Sequence, residues 1–395
     1  MMEKLSKKEI LRVAFCGTRG IPANYGGFET AVEEITKRFT EKGVICNVFC
    51  RSENKDVEKE QEHQGRKLIF IAGSKYRKLD TFVSSINTGL YLIKNKSSFD
   101  YIFWFNNANM PGILISLFCG IPMSINTDGL EWRRAKWSWP FKLYYFISST
   151  IISLLCKNLI SDSKAIQHYY KKIFKRGAHF IPYGSPTKID FNDNEKKRVL
   201  DKYNIQENKY FLQITRFEPD NLPLEIIKSF KKSNLHEKGI KLVLIGYKDS
   251  TPYADQIMQH NNTDGVIVLK ANYNSEELAI LRSFALAYVH GNSVGGTNPA
   301  LLEAMRYCKR IIAIKGPFSK EVLGENGLLF TKENLHELLI ESLNMEDQSL
   351  DMNTRLDNQY QWPAVADSYL NLMKYQSTDY NNSIKNINVE QKMIL

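Results

Sequence analysis

Short apolar runs alternate with amphipathic ones along nearly the whole chain, and the alternation starts over once, just past Tyr183-Gly184-Ser185-Pro186. In the first half the pattern predicts strands at Arg12–Cys16, Val44–Cys50, Leu68–Ala72, Tyr101–Phe105, Pro122–Asn126, Leu159–Ser161 and His179–Ile181. Helices are expected between them, at Phe28–Lys42, Phe82–Lys96, Met110–Cys119, Trp139–Leu155 and Lys164–Phe174. Strands that alternate with helices can all be buried in a mostly parallel sheet with helices on both faces. After a polar run at Lys188–Lys197 the second half predicts strands at Tyr210–Thr215, Lys241–Ile245, Val266–Leu269, Ala285–His290 and Arg310–Ile314. Its helices are expected at Pro223–Ser233, Glu276–Phe284 and Pro299–Tyr307.

A chain of 395 residues is long for one core, so the expectation is two doubly wound α/β domains. Their bounds are drawn at 1–185 and 186–361, with a terminal helix at 362–376 and a polar, Asn-rich tail at 377–395 that is expected to stay loose. In folds of this kind ligands sit beyond the carboxyl ends of the strands. The net charge of +10 points to a polyanionic partner: a nucleic acid, an anionic membrane face or a phosphorylated substrate.

Cys16, Cys46, Cys50, Cys119, Cys156 and Cys308 form no CxxC and have no histidine at ligand spacing. They read as reduced, buried thiols of a cytosolic protein, and no metal site is expected. The N-terminus lacks a signal-peptide core. The most apolar stretch, residues 141–160, leaves 14 uncharged residues between Lys142 and Lys157, short of the ~20 that span a bilayer.

Two glycine-rich turns follow strands and open helices, one in each half. In "HGNSVGGTNPALLEAM" (290–305), Gly295 and Gly296 let a ligand approach the backbone, and the fresh helix start exposes partly positive N–H groups. Phosphate suits such a turn, with Thr297 and Asn298 adding hydrogen bonds and Pro299 fitting the first helical position. An ordinary tight strand–helix turn would look the same. In "CGTRGIPANYGGFET" (16–30), Gly26 and Gly27 precede the first helix, but the loop has neither dinucleotide-fingerprint nor P-loop spacing. Two such loops facing each other would describe an enzyme that binds something between its domains.

"GTRGIPANYGGFETAVEEI", "FWFNNANMPGILI", "NTDGLEWRRAKWSWP" and "HGNSVGGTNPALLEAM" together resemble bacterial rhamnosyltransferase-type enzymes of glycosyltransferase family 4, from about Val13 to Tyr375. The resemblance implies a GT-B fold, two Rossmann-like domains facing a central cleft. The acceptor would bind the N-terminal domain and the nucleotide-sugar donor the C-terminal one, and the last helix would cross back to the N-terminal domain. It implies no metal and no cofactor beyond the donor, with retention of anomeric configuration. Glu303 matches the second glutamate of the family's E-x7-E motif, which bonds the ribose, and Arg216 matches the arginine that holds the donor phosphates. Two positions depart from the pattern: the first glutamate falls on Gly295, and the lysine five places after the arginine falls on Asn221. Backbone N–H groups of 295–298 are the expected replacements.

Asp128 either orients the acceptor hydroxyl or simply shapes the turn before Gly129. His290 either touches the donor or is structural. Asn106 and Asn107 fall in an acceptor-side motif. Trp132, Trp137 and Trp139 interleave with Arg133, Arg134, Lys136 and Lys142 ahead of an apolar helix, which fits an anionic membrane surface or a solvated basic face. No nucleic-acid-binding pattern is present. The leading expectation is transfer of a sugar, L-rhamnose from dTDP-rhamnose, to a polyprenyl-diphosphate-linked saccharide in cell-surface polysaccharide synthesis. The protein would then be cytoplasmic and peripheral at the inner face of the cell membrane. A UDP- or GDP-hexose donor, or a non-catalytic nucleotide- or glycan-binding protein, are the alternatives.

Overall fold

Each half of the chain folds around its own sheet in the computed structural model, which describes residues 11–23, 26–52, 60–76 and 79–376. The expected loose tail at 377–395, and residues 24 and 25 of the first glycine loop, lie outside these. The first half runs β1 (Arg12–Cys16), α1 (Gly27–Glu41), β2 (Ile45–Ser52), β3 (Glu60–His63), β4 (Arg66–Ala72), α2 (Asp80–Lys94), β5 (Tyr101–Phe105), α3 (Met110–Ser116), β6 (Met123–Asn126), α4 (Trp139–Leu155), β7 (Asn158–Ser161), α5 (Lys164–Ile173) and β8 (His179–Phe180). Its strand order is β3-β4-β2-β1-β5-β6-β7-β8, parallel except for the antiparallel β3–β4 pair. The pattern fails to predict β3 for a physical reason: its residues, EQEH, are polar, and as an edge strand it needs only backbone pairing with β4.

Both faces of this sheet are covered, so β5 (YIFWF) is buried at every position. Phe15, Phe39 and Phe103 pack on the α1 side. Trp104, Ile113, Ile152 and Ile166 pack on the other side, which α2, α3, α4 and α5 cover together. Between α2 and α3 the backbones nearly touch: a Cβ added to Gly112 would lie 2.1 Å from the Ser85 carbonyl oxygen.

The second half runs α6 (Asp193–Lys202), β9 (Tyr210–Ile214), α7 (Pro223–Lys232), β10 (Lys241–Tyr247), α8 (Pro252–Met258), β11 (Val266–Lys270), α9 (Ser275–Ser283), β12 (Ala287–His290), α10 (Pro299–Tyr307), β13 (Ile311–Ile314), α11 (Pro317–Leu323), β14 (Leu328–Phe330), α12 (Leu335–Glu341) and α13 (Ser349–Gln359). Its sheet is parallel throughout, in the order β11-β10-β9-β12-β13-β14. A final helix, α14 (362–376), leaves this half and lies against the first sheet. There Tyr369 packs 5.3 Å from Phe103, ring centre to ring centre, and its hydroxyl accepts a 2.9 Å bond from Asn126. All six cysteines are buried free thiols. Among the described residues no helix is long and apolar enough to cross a membrane.

Candidate functional site

Strand order reverses beside β1 in the first sheet and beside β9 in the second, where neighbouring strands send their connections in opposite directions. Such switch points open a crevice at the carboxyl ends of the strands. The first glycine loop leaves β1 at one crevice, and the second leaves β12 at the other.

The two loops meet. A Cβ on Gly27 would lie 3.2 Å from Pro299, and one on Gly129 would lie 3.2 Å from Gly295 Cα. At Gly296 a Cβ would fall 1.9 Å from Asp162 Oδ1, so this junction closes only because that position has no side chain. Thr297 donates its hydroxyl proton to the Asp162 carbonyl, and the Ala135 N–H donates to Asp220 Oδ1 at 2.9 Å. Glu321 of α11 reaches the N-terminus of α5, accepting from Ser163 Oγ at 2.7 Å and from the Lys164 N–H at 2.8 Å. The cleft is therefore held shut by polar contacts on three sides.

On the donor side, Gly295 has φ +151°, a backbone that suits glycine. Asn298 caps α10 by accepting from the Ala300 N–H at 3.0 Å. Arg216, two residues past β9, holds an exposed side chain (61%) with only a long 3.9 Å approach to Glu218. Asn221, where the sequence resemblance led to an expected lysine, is buried and bonds back to the Arg216 carbonyl at 2.8 Å, which fixes the loop rather than adding charge. Glu303 is not free: it forms an ion pair with the buried Arg282. His290, Asn292, Gly296, Asn298 and Ser319 line a cavity of about 240 Å³. Burial pushes the His290 imidazole down to about 3, so it is neutral near pH 7 and offers a hydrogen bond rather than a positive charge.

Two carboxylates face this junction from the first half. Asp128, in a left-handed turn at φ +61°, is pushed up to about 7 by burial and then by Glu131, against the Gly129 N–H, Arg134 and Lys136. Asp162 is pushed up to about 8 by burial and then by Asp128 and Glu321. Burial would lower the Arg134 guanidinium, but Glu131 and Asp128 outweigh it and hold the group above its ordinary value. Its Nη2 lies 3.7 Å from where a Gly295 side chain would begin.

Several residues expected at the acceptor or the membrane do other work. Asn107 is buried, and its amide donates to Ser149 Oγ and Tyr170 Oη at 2.8 Å each, so it holds α4 and α5 in place. Asn106, at φ +71°, accepts from the Ala108 N–H and shapes the turn before α3. Trp132 packs edge-on against Phe146 at 5.5 Å and meets Tyr169 and Phe174. Trp137 stacks on Phe141 and donates its indole N–H to Glu131 at 2.8 Å. Both indoles are spent on packing, because aromatic partners from α4 and α5 remove more apolar surface than solvent contact would. Arg134 belongs to the cleft. Arg133 stays on the surface, over the Tyr169 ring at 5.1 Å, and Trp139 is exposed as well.

Sequence reasoning missed Asp162, Asp220 and Glu321, which sit in no motif and become partners of the loops only across the cleft. It also missed a cavity of about 220 Å³ beside β1 and α2, lined by Thr18, Arg51, Ser84, Ser85, Trp104 and Asn109. Trp104 Nε1 and Asn109 Oδ1 there have no protein partner.

Residues 195–359 match the family of glycosyl transferases group 1, and residues 10–186 match a domain of unknown function, DUF1972. No curated protein matches the chain significantly. Among solved structures, the chain is similar to sucrose-phosphate synthase from Thermosynechococcus elongatus, with a TM-score of 0.75 at 16% identity, over 92% of this chain and 98% of that one. It is also similar to a glycosyltransferase from Rickettsia africae, with a TM-score of 0.68 at 13% identity over 93% and 98% of the two chains. A UDP-forming α,α-trehalose-phosphate synthase from Burkholderia vietnamiensis gives 0.67 at 10% identity over 92% and 97%. Two largely parallel sheets, a cleft between their glycine loops and the likeness to these structures show a GT-B fold, and its second half matches the glycosyl transferases group 1 model.

Proposed function

We propose that the protein is a retaining glycosyltransferase that moves L-rhamnose from dTDP-rhamnose onto a polyprenyl-diphosphate-linked saccharide in bacterial cell-surface polysaccharide synthesis, working at the inner face of the cell membrane. The observation that carries the reading is the meeting of the 291–298 loop and the α10 N-terminus with the first glycine loop, beside Arg134, where Thr215, the neighbour of Arg216 in the chain, bonds Asn292 of the same loop. N–H groups at the helix start and a guanidinium fork suit a diphosphate without a metal ion.

In the reaction the bond between the anomeric carbon and the diphosphate oxygen breaks as the acceptor oxygen bonds to the same face of the sugar. The acceptor's hydroxyl proton passes to the departing diphosphate. Arg216 bears the charge that develops there. Asp128, poised near neutrality, orients the acceptor hydroxyl. Neutral His290 donates a hydrogen bond to the sugar.

The choice of dTDP-rhamnose rests on the four motifs. A second reading, a UDP-hexose donor, is favoured by the UDP-forming enzyme among the similar structures.

Calorimetric titration with dTDP-rhamnose, dTDP, UDP-glucose and GDP-mannose tests both. Tight binding confined to dTDP compounds, weakened about tenfold or more by Arg216→Ala, is the expected result. Binding of UDP-glucose alone would replace rhamnose with a UDP-hexose. No binding of any nucleotide sugar would refute the enzyme reading. Glu303→Ala would leave the buried Arg282 with neither counter-charge nor acceptor, so Glu303→Gln, which keeps a hydrogen-bond acceptor for Arg282 while removing the carboxylate, is the milder variant for probing the ribose contact.

A further inference from the structure

The side of the first sheet covered by α2, α3 and α4 presents an apolar surface that nothing among the described residues covers. On α4, Trp139 (72% exposed), Leu143, Ile147 and Leu154 recur at helical spacing along the outer face. On α2, Ile86, Leu90 and Ile93 do the same. Phe118, in the turn that follows α3, is 83% exposed. The three helices are neighbours: Gly89 and Gly112 bring α2 against α3, and Phe82 of α2 packs 4.6 Å from Tyr144 of α4.

Charge on this side has one sign. The only acid in the three helices is Asp80, which is spent on Arg51 at 3.2 Å. Lys94 and Lys142 lie on the helices, with Lys96 and Lys157 just beyond their ends. Apolar side chains with a tryptophan among them, rimmed by lysines and free of unpaired acids, match the boundary between acyl chains and anionic headgroups. A complementary protein surface would need acids to meet the lysines, and a second copy of this face brings more lysines instead.

We propose that this three-helix face is the surface by which the protein docks on anionic lipid, keeping Trp139, Lys142 and the apolar helix of the segment that the sequence suggested and leaving out Trp132 and Trp137, which pack inward. Trp139 lies five residues past Arg134, which stands beside the Gly295 loop, so the docked face begins at the mouth of the cleft. An acceptor carried on a lipid would then enter the cleft without leaving the bilayer. The inference rests on the proposed lipid-linked acceptor for its purpose, but not for its test.

Flotation of the full chain with vesicles of phosphatidylcholine, or of phosphatidylcholine mixed with phosphatidylglycerol, needs no nucleotide sugar. The expected result is flotation with the anionic vesicles that weakens as salt is raised. The double variant Phe118→Ser, Trp139→Ser should cut the bound fraction about tenfold, and Lys142→Glu should lower it further. Both variants should keep wild-type circular dichroism and wild-type nucleotide-sugar binding. Flotation unchanged in the double variant, or equal on neutral vesicles, overturns the proposal. So does a dimer on size-exclusion chromatography that the double variant dissolves, which would make the face a contact between copies. Failure of sugar transfer with intact flotation would count against the enzyme reading alone.

Discussion

Asp162→Asn isolates the consequence of burying a carboxylate where the two halves close. The Asp162 side chain is 7% exposed and lies against Gly296. Burial, then Asp128 and Glu321, push its pKa from 3.8 to about 8. Between those values the folded chain binds one proton more than the unfolded chain at this site, so stability must fall as pH rises. The slope is about 1.4 kcal/mol per pH unit, present from about pH 4 and levelling off above about pH 8. From about pH 5.5 to about pH 7 the wild type should therefore lose about 2 kcal/mol relative to Asp162→Asn, which cannot ionise and keeps nearly the same shape. For a domain of this size that is a divergence of roughly 4–8 °C in Tm. Thermal unfolding of both proteins followed by circular dichroism across that range measures it. Parallel Tm curves would show that the Asp162 carboxyl is solvated or paired in solution, and the closed junction described here would not be the resting state.

Gly296→Ala places a Cβ 1.9 Å from Asp162 Oδ1; the cleft should be unable to close, weakening nucleotide-sugar binding about tenfold or more while leaving each half folded. Unchanged affinity by calorimetry would separate donor binding from closure. Asn298→Ala removes the α10 cap and should cost about 1 kcal/mol of stability, read as a lower denaturant midpoint. Trp132→Ala should lower stability by about 2 kcal/mol or more through lost aromatic packing, with vesicle flotation unaffected; a loss of flotation at wild-type stability would return Trp132 to the lipid surface.

The alternation of short apolar and helical runs was enough to read two mostly parallel, doubly wound sheets, because strands buried on both faces must be apolar throughout, as β5 is. The glycine loops were legible for a related reason: closely spaced glycines after a strand and before a helix mark a backbone that something approaches closely. Edge strand β3 was not legible, since its residues are polar and backbone pairing with β4 forms the strand without an apolar pattern. In the aromatic-basic segment, sequence shows that Trp132 and Trp137 are amphipathic but not which way they turn. That was decided by Phe146 and Tyr169 for one and Phe141 and Glu131 for the other.

Local pattern thus determined most of the strands, the helices between them and the two glycine-rich turns, all of which depend on residues close in the chain. Tertiary structure alone decided what meets those turns. Asp162 meets Gly296 across 134 positions of chain, and Glu321 meets Ser163 across 158. Contacts at such separations leave no periodicity to read, because they are set by how two finished sheets settle against each other. The same holds for the exposed face of α2, α3 and α4, whose side chains are apolar in the sequence whether they point to the core or to lipid.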